Sequence, residues 1–197
     1  MSQSEQRDLL KVFGDLADFA PKQKLRRELE PKVARRRKIA MFLNNPEAVK
    51  LVDETGAELP VEVVVVEDKR LETEEKALLG LINEVDSKPL DSKRIHHRDL
   101  LQALESLGKA TNKKEVEDMV WEVDEDSDGT VSWKEFHLMY VRNQSDDTGL
   151  EPSQLFSVVQ FLMYDKQNKG EVTLDQTMEM LFKKYGKDKL EAEIKVS

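Results

Sequence analysis

The stretch WEVDEDSDGTVSWKEF, from Trp121 to Phe136, has aspartates at alternate positions, a glycine directly after the third aspartate, and a glutamate six residues after that glycine. A twelve-residue loop binds Ca²⁺ through oxygen atoms supplied from loop positions 1, 3, 5, 7, 9 and 12. The residues at those positions are Asp124, Asp126, Asp128, Thr130, Ser132 and Glu135. The spacing therefore predicts a Ca²⁺ site in this stretch.

The other residues of the stretch fit the same interpretation. Thr130 is expected to contribute its carbonyl oxygen, Ser132 to act through a water molecule, and Glu135 to bind with both carboxylate oxygens. Gly129 falls at loop position 6, where the backbone must turn sharply. The alternative is a solvated acidic turn, which the helical patterns on both sides disfavour. Whether Mg²⁺ occupies the loop when Ca²⁺ is low stays open.

Composition narrows the class of protein. The chain has 197 residues and no cysteine, so it has no disulfide framework and no thiolate metal site. It has no apolar run of about 18 residues and no secretory signal pattern, which predicts a cytoplasmic protein without a membrane role. No glycine-rich phosphate loop, HExxH or GxSxG pattern occurs, so we expect no enzymatic activity.

One segment is strongly basic although the chain as a whole carries a net charge of -9. From Lys22 to Lys38 nine Lys or Arg residues stand against two Glu, a charge of +7 that leaves -16 for the rest. Three explanations stay open: a solvated face, docking on the protein's own acidic lobes, or docking on an external polyanion such as acidic tubulin tails or anionic lipid. Nucleic acid is not expected, because no aromatic residues are interleaved with the basic ones.

Before residue 70 the periodicity of apolar residues changes twice. Spacings of three and four predict helices over 4–19 and 22–43, with Pro31 starting a new helix or kinking one. Residues 49–66 then combine VKLV, a turn-rich DETGAE and LPVEVVVV. This pattern predicts a β-hairpin, whose valine run must be covered.

From Thr73 onward helical pairs recur with a period of about 35–40 residues. The segments TEEKALLGL and QALESLGKATNKKEVEDMVWEVDEDSDGTVSWKEFHLMY resemble calmodulin and its relatives, proteins built from EF-hand helix–loop–helix units. The resemblance covers about residues 72–190. It implies a mainly α fold of three hands, with no fourth, preceded by N-terminal helices and the short β-hairpin.

The resemblance also defines a loop on each side of the loop at 124–135, which we call the second loop. The first loop, Lys88–Asp99, has Lys, Leu and Ser where calcium ligands belong, but has Ile95 where it can pair with Val131. The third loop, Asp165–Gln176, keeps Gly170 but has glutamine at positions 3 and 12 and lysine at position 5. We therefore expect one metal-binding hand of three.

The periodicity and the resemblance together predict four domains and an apolar surface on the third hand that something must cover. The domains are a helical arm with the basic segment (1–47), a β-hairpin or linker (48–70), the paired first and second hands (71–147), and the third hand with a tail (148–197). The third hand is rich in apolar residues and has no mate, so the first two hands, the N-terminal helices or another protein must cover it. Trp121 and Trp133 are both interpreted as packing residues.

The function expected from these features is that of a calcium-binding, calmodulin-like regulatory or structural subunit of a larger protein assembly. The stretches WEVDEDSDGTVSWKEFHLMY and RNQSDDTGLEPSQLF also resemble calmodulin-like subunits of ciliary axonemes, including the outer-arm docking complex. That resemblance implies a cytoskeletal or ciliary location. The alternative is a free calcium sensor, which opens on binding Ca²⁺ and captures amphipathic target helices.

Overall fold

The computed structural model describes residues 1–47, 49–53, 55–166 and 169–185. The described residues are mainly helical, with one short antiparallel sheet. The helices are α1 (Gln3–Leu16), α2 (Phe19–Asn44), α3 (Val61–Asp86), α4 (His97–Ser106), α5 (Lys113–Trp121), α6 (Trp133–Ser145), α7 (Gln154–Tyr164) and α8 (Leu174–Tyr185). The strands are β1 (Arg94–His96) and β2 (Thr130–Ser132). The predicted mainly α fold class is confirmed.

The chain divides into two compact units. The hand unit contains residues 1–20 and the chain from Pro89 onward, and the hairpin unit contains residues 21–88. This division differs from the predicted domains: α1 belongs with the hands, and α3 continues across the predicted boundary at residue 70. None of the helices in the described ranges has the length and apolarity that crossing a membrane requires.

Helix α1 begins with a capping box, in which Ser2 accepts from the Glu5 amide and the Glu5 carboxylate accepts from the Ser2 amide. Its apolar residues repeat at helical spacing and are at least 95% buried; they are Leu9, Val12, Phe13 and Leu16. The helix packs on α4, α6 and α7. The N-terminal helix therefore supplies part of the core of the hand unit.

The first and second loops pair through the sheet. Ile95 on β1 lies opposite Val131 on β2, as predicted, and both side chains are fully buried. β-Branched residues suit such a short, buried strand pair. The sheet therefore joins the two loops from inside the core.

The buried apolar residues of α7, the first helix of the third pair, are covered by other helices of the described residues. Helix α7 packs on α1, α5 and α6, and its buried residues include Phe156, which contacts Tyr140 at a ring-centroid distance of 5.4 Å. Gly170 brings the third loop against the backbone of Leu107 at the end of α4. Two of the predicted covers, the N-terminal helix and the neighbouring hands, therefore pack on α7.

Part of the basic segment forms ion pairs within the hairpin unit. Helices α2 and α3 are antiparallel, and basic residues of α2 pair with acidic residues of α3. The pairs include Lys22 with Asp86, Lys32 with Glu74, Arg35 with Glu67, and Arg36 with both Asp68 and Glu75. Hydrogen bonding to Glu67 raises the pKa of Arg35, and hydrogen bonding from Arg35 lowers the pKa of Glu67. None of the three predicted explanations included this pairing within one helical hairpin.

The prediction of a β-hairpin over residues 49–66 is wrong for its second arm. An isolated bridge between Val52 and Glu58 is present, but the valine run lies in the first turns of α3, which Pro60 precedes at the N-cap. β-Branched residues cost a helix only a few tenths of a kcal/mol each. Full burial of the Val64 side chain with Ile39 and Phe42 stabilises the fold by more than this cost, while Val66 stays exposed. Helix α2 is continuous through Pro31.

Candidate metal centre

The second loop connects α5 to α6 through β2. Helix α5 begins at an Asn112 capping box and α6 begins at a Ser132 capping box. Between them the backbone turns through two residues with positive φ, Ser127 at 61° and Gly129 at 81°. Glycine adopts this conformation without steric cost, which is why the sequence needs it at loop position 6.

Three of the predicted ligands converge in this turn. The carboxylates of Asp124, Asp126 and Asp128 each offer an oxygen within 4.8 Å of the others. The Asp124 carboxylate accepts from the amides of Asp128 at 3.1 Å and Gly129 at 2.8 Å, which fixes its orientation. A cluster of carboxylate oxygens is the donor set that hard bivalent cations prefer, so these residues fit Ca²⁺.

The remaining predicted ligands lie beside this cluster and are engaged with their neighbours. Thr130 donates its amide and its hydroxyl to Asp128, at 2.8 and 2.6 Å. Ser132 donates its amide and hydroxyl to Glu135, at 2.8 and 2.7 Å. The other oxygen of Glu135 accepts from the amide of Glu125 at 3.0 Å. Glu135 therefore holds the two ends of the loop together.

The electrostatics of the loop distinguish its carboxyl groups. Partial burial opposes ionisation of Glu135, but hydrogen bonds from the Ser132 hydroxyl and from backbone amides outweigh it and lower the pKa of Glu135. Desolvation and the neighbouring charges of Asp128 and Glu135 raise the pKa of Asp126. Arg94 approaches Asp128 at 3.9 Å from β1. The loop therefore concentrates negative charge that a bivalent cation would neutralise.

The last residue of the first loop, Asp99, makes structural hydrogen bonds at the position where a calcium loop has its final ligand. Asp99, at loop position 12, is fully buried. Its carboxylate accepts from the amide of Ala20 at 2.8 Å and from the amide of His96 at 3.1 Å. Asp99 occupies the position of the bidentate ligand in a calcium loop, but here it binds the backbone that follows α1. Sequence reasoning missed this contact, although an acidic residue kept at position 12 of a loop without other ligands was a signal.

The third loop is held by hydrogen bonds of its first and last residues, Asp165 and Gln176. Asp165 accepts from the amides of Lys169 at 3.0 Å and Gly170 at 2.7 Å. Gln176, at position 12, accepts from the Thr173 amide at 2.8 Å and donates to the Tyr164 carbonyl at 3.0 Å. Position 3 of this loop, Gln167, lies outside the described residues.

The two tryptophans have different environments. Trp133 contacts Phe13 and Phe136 at ring-centroid distances of 5.4 and 6.1 Å, as expected for a packing residue. Trp121, the last residue of α5, is 76% exposed. The interpretation of Trp121 as a packing residue is wrong, because α5 buries the opposite face, through Val116, Met119 and Val120.

Comparison with known proteins identifies a matching family model and a similar curated protein. The family model of an EF-hand domain pair matches residues 92–143, which include most of the first loop and all of the second. The chain is also 29% identical over 101 residues to a protein of Oryza sativa subsp. japonica named "Putative calmodulin-like protein 6". That similarity covers 51% of this chain and 58% of the relative, so it spans little more than half of either protein.

Proposed function

We propose that this calmodulin-like EF-hand protein binds one Ca²⁺ ion in its second loop and serves as a regulatory or structural subunit of a larger protein assembly. The observation that carries the metal assignment is the convergence of three carboxylates within 4.8 Å. Calcium would be held by Asp124, Asp126 and Asp128, by the Thr130 carbonyl, by Ser132 through water, and by both oxygens of Glu135.

One ion per chain follows from the other two loops. The first loop offers no acidic group at positions 1, 3 and 5, and its Asp99 is committed to the Ala20 amide. Helix α7, the third loop and α8 form a degenerate third hand, with Lys169 and Gln176 in ligand positions. A cation and a neutral amide cannot replace the carboxylates that such a loop needs.

Calorimetry on the full chain tests the metal assignment. We expect one site with a dissociation constant of about 10⁻⁷ to 10⁻⁵ M, the range of sensor-type loops. The same titration with Mg²⁺ measures how far that ion competes at rest. Two or three comparable Ca²⁺ sites would contradict the assignment.

The role of a subunit rather than a free sensor is supported by α1. A sensor exposes an apolar groove on binding Ca²⁺ and captures a target helix in it. Here α1 already inserts its buried residues between α4, α6 and α7, and Phe13 contacts Phe136 directly after the last calcium ligand. The protein's own helix therefore occupies apolar surface of the hands that a target helix would need.

Binding of a hydrophobic dye distinguishes the two roles. We expect Ca²⁺ to cause little dye binding in the native chain, because α1 covers the apolar surface. The substitution Phe13→Ala should increase dye binding, since it removes a fully buried ring of α1. The matched control is Leu10→Ala on the same helix, where the side chain is 41% exposed. Strong calcium-dependent dye binding by the native chain would favour the free sensor.

Within the assembly, we propose that the exposed basic residues of α2 bind a protein partner. Several basic residues of α2 stay exposed and could meet an acidic surface such as tubulin tails; they are Lys24, Arg26, Arg27, Arg37 and Lys38. A cytoskeletal or axonemal setting rests on the resemblance of residues 121–156 alone. Co-purification from cell extract tests it: a subunit should retain its partner in the presence of a chelator, whereas a sensor should release it.

A further inference from the structure

An exposed tryptophan lies at the end of α5. Trp121 is 76% exposed, whereas the chain's other tryptophan, Trp133, packs among aromatic rings. A tryptophan side chain has the largest apolar surface of any residue, and protein interfaces use it disproportionately as an energetic anchor. Trp121 is therefore a candidate contact residue that folding of the hand unit does not use.

A hollow of about 330 Å³ lies beside Trp121. Glu117 and Asp118 line it from α5, Asp124 lines it from the second loop, and His97 lines it from the start of α4. Glu117 pairs with Lys113 at 3.2 Å, an exposed pair that a partner can exchange at little cost. The hollow thus combines an aromatic face with carboxylates.

The charge of the unit points to a cationic partner. Residues 21–88 contain fourteen Lys or Arg and fourteen Asp or Glu, so the whole net charge of -9 falls on the hand unit. Negative potential steers a basic segment toward the hollow. Arginine suits this site better than lysine, because its planar guanidinium stacks on an indole while it hydrogen-bonds to carboxylates.

We propose that Trp121 and the acidic hollow beside it form a docking surface for an arginine-bearing segment of a partner protein. This proposal specifies the chemistry of the partner that the subunit would bind, and it rests on the subunit role proposed above. Asp124 lines the hollow and is also the first proposed calcium ligand, whereas Trp121 and Asp118 line it and are not calcium ligands. The variant Glu135→Gln, which should lose Ca²⁺ and leave the Asp124 carboxylate without the ion, is therefore expected to bind the segment at least as well as the native chain.

The test uses the full chain at saturating Ca²⁺ and a capped peptide, GRGRRG, compared with the same peptide in which citrulline replaces arginine. The chain has two tryptophans, so its nitrogen-15 spectrum has two indole signals, and the variant Trp121→Phe assigns them. We expect the arginine peptide to shift the Trp121 signal and to leave the Trp133 signal in place. The neutral citrulline peptide should bind much more weakly.

Substitutions measure the contribution of each part of the surface. We expect Trp121→Ala to weaken peptide binding about tenfold, the effect of losing cation–π and packing contacts. Asp118→Asn should weaken it about threefold. The matched control is Leu174→Ala, which removes an apolar side chain of similar exposure, 77%, away from the hollow and should leave affinity unchanged.

Four outcomes would overturn the proposal. They are equal binding of the arginine and citrulline peptides, binding without a shift of the Trp121 signal, equal affinity of Trp121→Ala and Leu174→Ala, and self-association that Trp121→Ala abolishes in sedimentation. The last outcome would assign the surface to a second copy of the chain. Calorimetry on the same samples keeps the metal site separate: docking without Ca²⁺ binding would contradict only the metal assignment, and the reverse result would contradict only the docking surface.

Discussion

The second and third loops begin in the same way and end differently. In each, an aspartate at position 1 accepts hydrogen bonds from the amides at positions 5 and 6, and the glycine at position 6 has a positive φ, 81° at Gly129 and 74° at Gly170. The shared residues therefore specify the turn, and the other ligand positions decide whether a cation can be held.

The two loops also end differently at position 12. Glu135 carries a charge and receives hydrogen bonds from Ser132 and from backbone amides at the start of its loop. Gln176 closes the third loop with a donated and an accepted hydrogen bond and carries no charge. A neutral amide thus provides the closure that a metal ion and a carboxylate provide together in a calcium loop.

The largest expected effect comes from removing the charge at position 12 of the second loop. Glu135→Gln should weaken Ca²⁺ binding about 100-fold or more, because the loop loses its bidentate carboxylate. Calorimetry on the full chain measures the change. Unchanged affinity would show that Glu135 is not a ligand.

The reciprocal change in the third loop is the matched control. Gln176→Glu restores a carboxylate at position 12, but Lys169 still places a cation at position 5. We expect no second Ca²⁺ site in calorimetry. A second site of similar affinity would mean that position 12 alone separates the two loops.

Substitutions of the two glycines at position 6 distinguish the cost of backbone strain from the cost of lost packing. An added Cβ at Gly129 meets nothing within 4 Å, whereas one at Gly170 would lie 2.7 Å from the Leu107 carbonyl oxygen. In chelator, Gly129→Ala should lower the free energy of unfolding by about 1 kcal/mol through strain alone. Gly170→Ala should lower it by about 2 kcal/mol or more, because the loop must also move away from α4. Urea unfolding measures both, and equal values would refute the packing difference.

The sequence was sufficient to predict features that depend on the spacing of residues within one segment. The alternation of aspartates around Gly129 defined the second loop, and Ile95 and Val131 were correctly paired because each stands at position 8 of its loop. The site residues themselves stay predictions until Ca²⁺ binding is measured. Local patterns of this kind fix a loop without knowledge of the rest of the chain.

The errors fall where distant contacts outweigh local preference. The run Val63–Val66 has the composition of a strand, yet burial of Val64 against α2 and ion pairs to α2 hold it in a helix. The contact of Asp99 with Ala20 joins residues 79 positions apart, which no local pattern encodes. The exposure of Trp121 likewise depended on which face of α5 is buried.

A smaller effect is expected when the closing amide of the third loop is removed. Gln176→Ala loses the bonds to the Thr173 amide and the Tyr164 carbonyl, and should lower the free energy of unfolding by about 1 kcal/mol. Ca²⁺ affinity should not change, because the second loop keeps all of its ligands. Urea unfolding and calorimetry on the same variant check both statements, and a large loss of Ca²⁺ affinity would contradict the separation of the loops.

The smallest expected effect is a pH dependence that only one of the two loops has. Partial burial opposes ionisation of Glu135 in the fold, but hydrogen bonds from Ser132 and from backbone amides outweigh it and lower the pKa of Glu135. A carboxyl whose folded pKa lies below its unfolded value stabilises the protein above that unfolded value, about 4.3. This stabilisation is lost as the pH falls through the folded pKa.

Metal-free native protein should therefore lose more stability between about pH 5 and pH 3 than Glu135→Gln, which has no group to titrate at this position. Urea unfolding across that range, on protein freed of Ca²⁺ beforehand, gives both curves. Gln176→Ala is the control from the third loop, and its curve should run parallel to that of the native protein because the amide it removes does not titrate. Parallel curves for the native protein and Glu135→Gln would mean that the hydrogen bonds from Ser132 do not favour the charged carboxylate, and that the two loops close in the same way until an ion binds.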